Sequence, residues 1–244
     1  TDQLGTLGFA FVNIRPKVNQ RREDLAVDIN FQVAEGAKVY VQSIDIEGNV
    51  RTLDEVVRRE FQLVEGDAFN TSKLRRSRRR IRNLGFFKSA KVTNVEGSTP
   101  DKTVIKVAVE EQSTGQVSLG VGFSSLDGAL GDIGISERNL LGRGQNLSFS
   151  FQGSAKRQEF DIGFTEPYFL ARDVSAGFDL FQVTRDRQDD SSFDERKGGG
   201  AVRLGYTLAP DLRHTLRYKL EQTEIRNVKT EASRFIRDQA GKTT

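Results

Sequence analysis

His214 is the only side chain that could act as a histidine base, because the chain contains one His and no Cys. The alternation of the surrounding residues places His214 in phase with Leu212 and Leu216, where a structural role is expected. Without cysteine there is no thiol nucleophile and no thiolate metal site, and a single histidine excludes a cluster of histidine ligands. These residues predict no catalytic group, no cofactor and no metal.

Two further groups of polar or small residues also lack the context that chemistry requires. The paired acids between 189 and 195 lie among the basic residues of 185–197, which is typical of a solvated loop. Gly198-Gly199-Gly200 does not connect a strand to a helix, so no phosphate-binding loop is predicted there. Any function must then be carried by backbone groups and surfaces.

The strongest charge feature is a basic run, residues 73–82, in which seven of the ten residues are Lys or Arg. The spacing of Leu74, Ile81 and Leu84 predicts that the run is the exposed side of a packed helix. A plain solvated face and a contact with protein or lipid headgroups both remain open. No aromatic residues are interleaved for base stacking, so nucleic acid is not expected as a partner.

The first half of the chain repeats itself. A strand-like stretch over 8–18 resembles one over 85–95, and Val27–Val33 resembles Thr103–Val109, at offsets of 77 and 76 residues. The chain is therefore expected to begin inside one repeat and to contain a second repeat whole.

The complete repeat predicts the order β-α-α-β-β, with two helices on one face of a three-stranded sheet. The first strand covers 39–47 with a bulge near Gln42-Ser43. Thr52 to Glu55 has the pattern of a capping box. The first helix is expected to bury one face, formed by Leu53, Val56, Val57 and Phe61. A second helix is predicted from about Asn70 to a terminating Gly85, followed by strands over 86–95 and 103–111.

From Gln116 onward the apolar residues alternate with polar or small ones, which predicts about seven strands. Their expected lengths, about nine to thirteen residues, suit tilted strands that cross a hydrocarbon core. Short turns are predicted at 141–145, 168–173 and 209–212. The two long, charged connections, 184–198 and 226 onward, then fall on the opposite side, as in an outer-membrane barrel. A soluble β-sandwich is the competing interpretation of the same alternation.

About seven strands do not make a closed barrel. Closed bacterial barrels have an even number of strands, about eight or more. A sheet left open in lipid would keep unpaired backbone amides at its edges. We therefore expect an incomplete barrel, belonging to a longer protein.

Several motifs of the complete repeat resemble the POTRA domain, a periplasmic β-α-α-β-β module. They are Ile44–Asn49, Arg58–Glu60, Glu65-Gly66 and Asn83–Phe87. The segment that follows, Glu110–Gly115, leads into Gly120–Phe123 as POTRA modules lead into their barrel. Glu137–Gly144 and Thr165–Phe169 resemble the first two periplasmic turns of that barrel.

Together these motifs resemble the BamA family, the central subunits of the bacterial β-barrel assembly machine. The resemblance implies that 1–36 is the C-terminal part of a POTRA domain, 37–112 a complete POTRA domain, and 113–244 the first strands of an outer-membrane barrel. It implies a bacterial outer-membrane location, with the POTRA part in the periplasm. The implied partners are unfolded outer-membrane proteins, accessory lipoproteins and outer-membrane lipid.

The implied function is the assembly and insertion of other barrels. An incoming strand gains affinity when its backbone pairs with an exposed sheet edge, which is β-augmentation. We expect this edge to be the first barrel strand, which we call the seam strand. The edges of the POTRA sheet are expected to be a second pairing site. The seam strand residues are Gln116, Val117, Ser118, Leu119, Gly120, Val121, Gly122 and Phe123.

The seam strand is rich in glycine. Gly115, Gly120 and Gly122 either weaken the seam by offering little side-chain packing, or face a crowded barrel interior. The helix face with Arg58, Arg59 and Glu60 is expected to dock an accessory lipoprotein, as the family resemblance implies. Two-partner secretion and TamA-type translocation are the competing functions.

Overall fold

The structure is a computed structural model, and it describes residues 13–21, 26–34, 38–209 and 212–241. The chain divides into two compact units, Thr1–Gln112 and Ser113–Thr244. The predicted strand beginning at residue 8 lies partly outside the described residues.

The first unit contains an antiparallel hairpin of β1 (Asn13–Arg21) and β2 (Ala26–Ala34), in which Val18 lies opposite Ile29. The hairpin agrees with the predicted strand pair of the first repeat. Val18, Val27, Ile29 and Phe31 are all exposed.

The predicted β-α-α-β-β order of the complete repeat is confirmed. Its elements are β3 (Tyr40–Glu47), α1 (Asp54–Arg58), α2 (Thr71–Asn83), β4 (Phe87–Glu96) and β5 (Lys102–Glu111). The sheet order is β3-β5-β4, with β3 parallel and β4 antiparallel to the central β5.

A single apolar cluster forms between this sheet and its helices. The sheet contributes the alternating residues Ile105, Val107 and Val109 of β5, and α2 contributes Leu74 and Ile81. Full burial of one such side chain stabilises the fold by about 1.5–3 kcal/mol. This cluster explains why a helix as polar as α2 forms: its buried residues recur at helical spacing within a basic sequence.

Three local predictions for this unit are confirmed. The register of β3 on β5 shifts between Val41 and Ser43, where the bulge was expected. Helix α2 begins at Thr71, close to the predicted start near Asn70, and the Asn70 side chain accepts a hydrogen bond from the Lys73 amide at 2.9 Å. Gly85 follows α2 at a φ of +70°, the left-handed conformation that favours glycine at a helix end.

The predicted capping box is wrong, and so is the predicted burial of Leu53 on the inner face of the first helix. The N-cap of α1 is Leu53 itself, which is exposed rather than buried. The amide of buried Thr52 donates to the Glu111 carboxylate at 2.7 Å, and the Arg51 amide donates to the same group at 3.0 and 3.1 Å. A carboxylate from the end of β5 thus takes the place predicted for Glu55.

The Glu111 carboxylate stabilises the fold through this contact, and it does so in a pH-dependent way. Burial acts to raise the pKa of the Glu111 carboxyl, but hydrogen bonds from Thr52 and Arg51 outweigh it and hold that pKa below its ordinary value. A carboxyl with a lowered pKa stabilises the fold above its ordinary pKa and loses this effect as the pH falls through the folded value. We expect Glu111→Gln to lower the free energy of unfolding by about 1–2 kcal/mol at neutral pH.

The measurement is the urea dependence of amide hydrogen exchange in α2, recorded for the full chain between pH 7 and pH 3. Wild type and Glu111→Gln should converge on acidification, because the protonated carboxyl no longer offers its charge to the amides. Glu110→Gln is the matched control, since the Glu110 carboxylate contacts the side chains of exposed Lys88 at 3.1 Å and of Ser89 at 3.4 Å. A constant difference across the pH range would contradict the assignment.

The second unit is one antiparallel sheet of seven strands in sequence order, which confirms the predicted strand number. The strands are β6 (Gly115–Ser124), β7 (Gly128–Leu140), β8 (Gln145–Ser154), β9 (Arg157–Glu166), β10 (Val174–Arg187), β11 (Phe193–Ala209) and β12 (Leu212–Arg226). In the described part of the chain the sheet does not close on itself.

The pairing register gives this sheet one apolar and one polar face. A cross-strand row on the apolar face joins Val117, Ile135, Phe149, Ile162, Leu180, Gly200 and Leu220. The neighbouring row, on the polar face, joins Gln116, Ser136, Ser148, Gly163, Asp179, Ala201 and Lys219. Such alternation is that of a transmembrane barrel wall, with an apolar exterior and a polar interior.

The predicted long connection at 184–198 is wrong. Strand β10 continues to Arg187 and β11 begins at Phe193, so the turn is only the short helix α3 (Gln188–Ser191) and Ser192. Opposite charges on the facing strands explain the difference, because Glu195 pairs with Arg187 at 3.2 Å and with Arg185 at 3.7 Å. The segment after β12 does form a longer connection, which contains the helix α4 (Arg234–Gln239). Within the described ranges, no helix has the length and apolar character needed to cross a membrane.

Candidate functional site: the edge strand β6

Strand β6 lies at one end of the seven-stranded sheet and, among the described residues, pairs only with β7. All eight residues predicted for the seam strand, 116–123, lie in it. The pairing with β7 is antiparallel and unbroken from Gly115 opposite Glu137 to Ser124 opposite Gly128.

The register also identifies the backbone groups on the free side of β6. The Arg138 amide donates to the Thr114 carbonyl at 3.4 Å, so 114 and 138 form a hydrogen-bonded pair. In an antiparallel ladder such pairs occur at every second residue, which directs the even-numbered residues of β6 toward β7. The N–H and C=O groups of the odd-numbered residues, among them Leu119 and Val121, therefore point away from the sheet.

The side chains of these odd-numbered residues form a strip of exposed apolar surface. Leu119 is 77% and Val121 95% exposed, and Val117 and Phe123 are similarly open. An edge strand with unpaired backbone groups and flanking apolar side chains is suited to pairing with a further strand.

The glycines of β6 face occupied space. A Cβ on Gly120 would overlap the carboxylate of Asp132, its partner on β7, and a Cβ on Gly122 would approach Leu130 Cδ1 to 3.1 Å. For Gly120 this geometry favours the interpretation that the glycine faces a crowded interior. The crowding atoms belong to β7, so the N–H and C=O groups on the free edge of β6 remain accessible.

The turn that follows β7 is compact, and it lies where the sequence predicts a short turn. The buried Asn139 side chain accepts a hydrogen bond from the Gly144 amide at 2.7 Å, and Glu137 accepts one from the Asn139 amide at 2.7 Å. Glu166 in the next turn accepts hydrogen bonds from the Tyr168 amide at 2.9 Å and from Gln145 Nε2 at 2.7 Å. Glu137, Asn139 and Glu166 belong to the motifs Glu137–Gly144 and Thr165–Phe169, whose resemblance to periplasmic turns is the only sequence feature that points to these side chains.

The predicted docking face at the end of α1 is only partly exposed to solvent. Arg58 is exposed, with its guanidinium held by Glu65 at 2.7 Å and by the Ile44 carbonyl at 2.7 Å. A hydrogen bond from its own backbone amide, followed by the bond from Arg58, lowers the pKa of Glu65. Arg59 is half-buried. Glu60 is only 6% exposed, and it binds Arg80 at 2.9 Å inside the domain.

The two edges of the three-stranded sheet also differ. The free side of β3 is already used: the Val41 amide donates to the Asp67 carbonyl at 2.9 Å, and the Phe69 amide donates to Val39 at 2.8 Å. Strand β4 pairs only with β5 in the described part of the chain. The open edge of this sheet is therefore β4.

The structure gives His214 a local partner. Its Nδ1 lies 2.9 Å from the Tyr206 hydroxyl, and the two rings pack edge to face. No three potential metal-binding side chains cluster in the ranges that the structure describes.

Two family models match the chain. Residues 39–112 match POTRA, described as a surface antigen variable number repeat, and residues 139–244 match the Omp85 superfamily domain. The outer membrane protein assembly factor BamA of Nitratidesulfovibrio vulgaris is 31% identical over 243 residues. That alignment covers 99% of this chain, and the chain spans 30% of the relative's length.

Solved structures give the same fold. The crystal structure of Haemophilus ducreyi BamA lacking POTRA domains 1–3 superimposes with a TM-score of 0.80 at 28% identity, over 95% of this chain and 44% of that one. CdiB from Acinetobacter baumannii superimposes with a TM-score of 0.58 at 15% identity, over 93% of this chain and 45% of that one. The second likeness concerns the fold alone.

Proposed function

We propose that this chain, which matches the POTRA and Omp85 superfamily models over residues 39–112 and 139–244, assembles and inserts β-barrel proteins into the outer membrane. Residues 37–112 are assigned as a complete POTRA domain, 1–36 as the end of another, and 113–244 as barrel strands. The POTRA part lies in the periplasm and the strands lie in the outer membrane. The proposed role is not enzymatic.

The observation that carries the proposal is the one-sided pairing of β6. Its odd-numbered residues present free donors and acceptors in strand geometry, which is the requirement for β-augmentation. In hydrocarbon each unpaired backbone group costs several kcal/mol. A client strand that pairs with this edge therefore lowers its own free energy and that of the edge.

The apolar face of the sheet supports the same role. A client strand that pairs with β6 continues the cross-strand row beginning at Val117, so its own apolar side chains are directed toward lipid. The edge thus supplies the register of the pairing as well as its hydrogen bonds.

A second pairing site is proposed on the POTRA sheet, at the open edge of β4. An extended client segment would add to β4 before it reaches the barrel. The occupied edge of β3 makes β4 the better of the two POTRA edges for this purpose.

The direct test uses the intact protein in proteoliposomes supplied with an unfolded outer-membrane protein. Assembly predicts that the client becomes a protease-resistant barrel within the bilayer. Two-partner secretion or TamA-type translocation predicts instead a client that crosses into the lumen as a soluble product. Lumenal delivery without membrane insertion would contradict assembly in favour of these alternatives.

Accessory lipoproteins are proposed to dock beside Arg58 and Arg59, with buried Glu60 supporting the face through Arg80. We expect Arg58→Glu with Arg59→Glu to reduce co-purification of accessory lipoproteins with the intact protein by about tenfold or more, because like charges across an interface cost several kcal/mol. Lys91→Glu, which reverses the charge of an exposed residue on β4, is the control and should leave co-purification of the lipoproteins unchanged.

A further variant separates docking from folding. Arg58→Glu with Glu65→Arg restores an ion pair of opposite polarity where the native pair is 2.7 Å long. The fold should survive while docking is lost. Undiminished co-purification in both charge-reversed proteins would reject this face as the docking site.

A further inference from the structure

Three arginines on the outer side of α2 form a continuous strip, which we call the arginine stripe: Arg76, Arg79 and Arg82. They follow one another at intervals of three residues and are all exposed. The buried residues Leu74, Ser77 and Ile81 occupy the opposite side of the helix. The stripe therefore points away from the sheet on which α2 packs.

Internal contacts do not account for this charge. Within the described part of the chain, none of the three arginines forms an ion pair, whereas the neighbouring Arg80 is bound to Glu60. The helix contains no acidic residue, and flanking Arg75 and Arg78 add further positive charge. Like charges three and four residues apart weaken a helix, and only cations in its last turn benefit from its dipole. Arg82 lies in the last turn, but Arg76 and Arg79 gain nothing from the dipole and repel their neighbours, so their charge is available for an external anion.

We propose that the arginine stripe binds the phosphate headgroups of an anionic phospholipid surface. Guanidinium groups bind phosphate in bidentate geometry. A protein partner would require apolar or aromatic anchors at the centre of the contact. The stripe offers none, since the other residues on this side of α2, which are Ser72, Arg75 and Asn83, are polar or charged.

The covalent chain supports lipid as the source of the phosphate. Three residues, Gln112 to Thr114, connect β5 to the membrane-spanning strand β6. A linker of that length reaches about 10 Å when extended, so lipid headgroups are the anionic surface available at high local concentration. The inference requires this membrane setting and does not depend on the assembly function.

The test uses the full chain in lipid nanodiscs, with a fluorescent label at Asn83→Cys beside the stripe and a quencher on a lipid headgroup. The chain contains no other cysteine, so labelling is specific. We expect stronger quenching in discs containing phosphatidylglycerol than in pure phosphatidylcholine, and loss of the difference near 1 M salt, where screening is short-ranged. A label at Lys91→Cys on β4 is the control and should respond equally to both lipids.

Two triple variants separate charge from fold. Replacing Arg76, Arg79 and Arg82 with Gln should lower the equilibrium constant for headgroup contact about fivefold for each charge removed. Replacement with Lys should retain most of it. Equal quenching in the two lipids, or no effect of the Gln variant, would overturn the proposal.

Two other outcomes would overturn it in favour of another partner. One is a label whose quenching does not depend on phosphatidylglycerol but decreases when purified accessory lipoproteins are added. The other is stronger quenching by a dye-labelled DNA duplex than by phosphatidylglycerol. Client insertion is not measured here, so failure of this inference leaves the assembly proposal intact.

Discussion

Leu119→Pro is expected to slow client insertion by the intact protein at least about tenfold while leaving the barrel folded. The Leu119 amide points to the free side of β6, so proline removes a donor from the templating edge and none from the ladder with β7. One lost hydrogen bond changes pairing by about 0.5–1.5 kcal/mol. The proline ring also fixes φ and obstructs the approaching strand, so we expect a loss of tenfold or more in the insertion rate measured in proteoliposomes.

Two neighbouring substitutions serve as controls for this result. Leu119→Ala removes the same side chain but keeps the amide, and insertion should remain close to wild type. Gly120→Pro removes a donor directed at β7, so it should weaken the sheet itself, seen as loss of the heat-resistant folded form on a gel. Normal insertion by Leu119→Pro would exclude backbone pairing at this edge as the mechanism.

Gly48→Ala is expected to unfold or nearly unfold the POTRA domain. Gly48 has a φ of +90°, and a Cβ there would overlap the carbonyl oxygen of Val109. That carbonyl cannot withdraw, because β5 is the central strand and pairs on both sides. The strained backbone costs about 1–3 kcal/mol and the overlap about 1–3 kcal/mol more. Together they approach the 5–15 kcal/mol that stabilises a typical domain.

Gly66→Ala is the matched control for Gly48→Ala. Gly66 has nearly the same φ, +91°, but no atom lies within 4 Å of its added Cβ. Only the backbone strain applies, so the variant should retain the fold with a modestly lower urea midpoint, measured by hydrogen exchange of α2 in the full chain. Equal destabilisation by the two substitutions would show that the contact with Val109 is not rigid.

The order of elements could be predicted because it depends on local patterns. The apolar spacing of α2, its start near Asn70 and its terminating Gly85 all lie within one stretch of sequence and agree with the structure. The seven barrel strands follow from alternation in the same way. These features need no knowledge of distant contacts.

The errors arose where a distant residue decides the local structure. The capping box fails because Glu111, about sixty residues away, accepts the hydrogen bond from the Thr52 amide. The dense charges of 184–198 predict a loop, although those charges pair across a hairpin. Local composition gives no register, and without a register complementary charges cannot be distinguished from solvated ones.

The candidate site was located by sequence, but its geometry was not. The motifs placed the seam strand at 116–123, whereas the division of its backbone groups between β7 and the free edge required the pairing with Arg138. The same limit applies to the docking face, where the burial of Glu60 follows from its contact with Arg80.

Disulfide trapping between β6 and a client strand tests the account most directly. Even-numbered residues of β6 would form the closer, non-hydrogen-bonded pairs with an added strand, which suits a disulfide. Ser118→Cys should therefore capture a cysteine in the terminal strand of an inserting client, in a chain that otherwise has no cysteine. Ser150→Cys lies on the same polar face, but β8 is paired on both sides and should not react. A client captured at Ser118→Cys and not at Ser150→Cys supports templating at this edge, whereas equal capture at both positions, or none at Ser118→Cys during productive insertion, would contradict it.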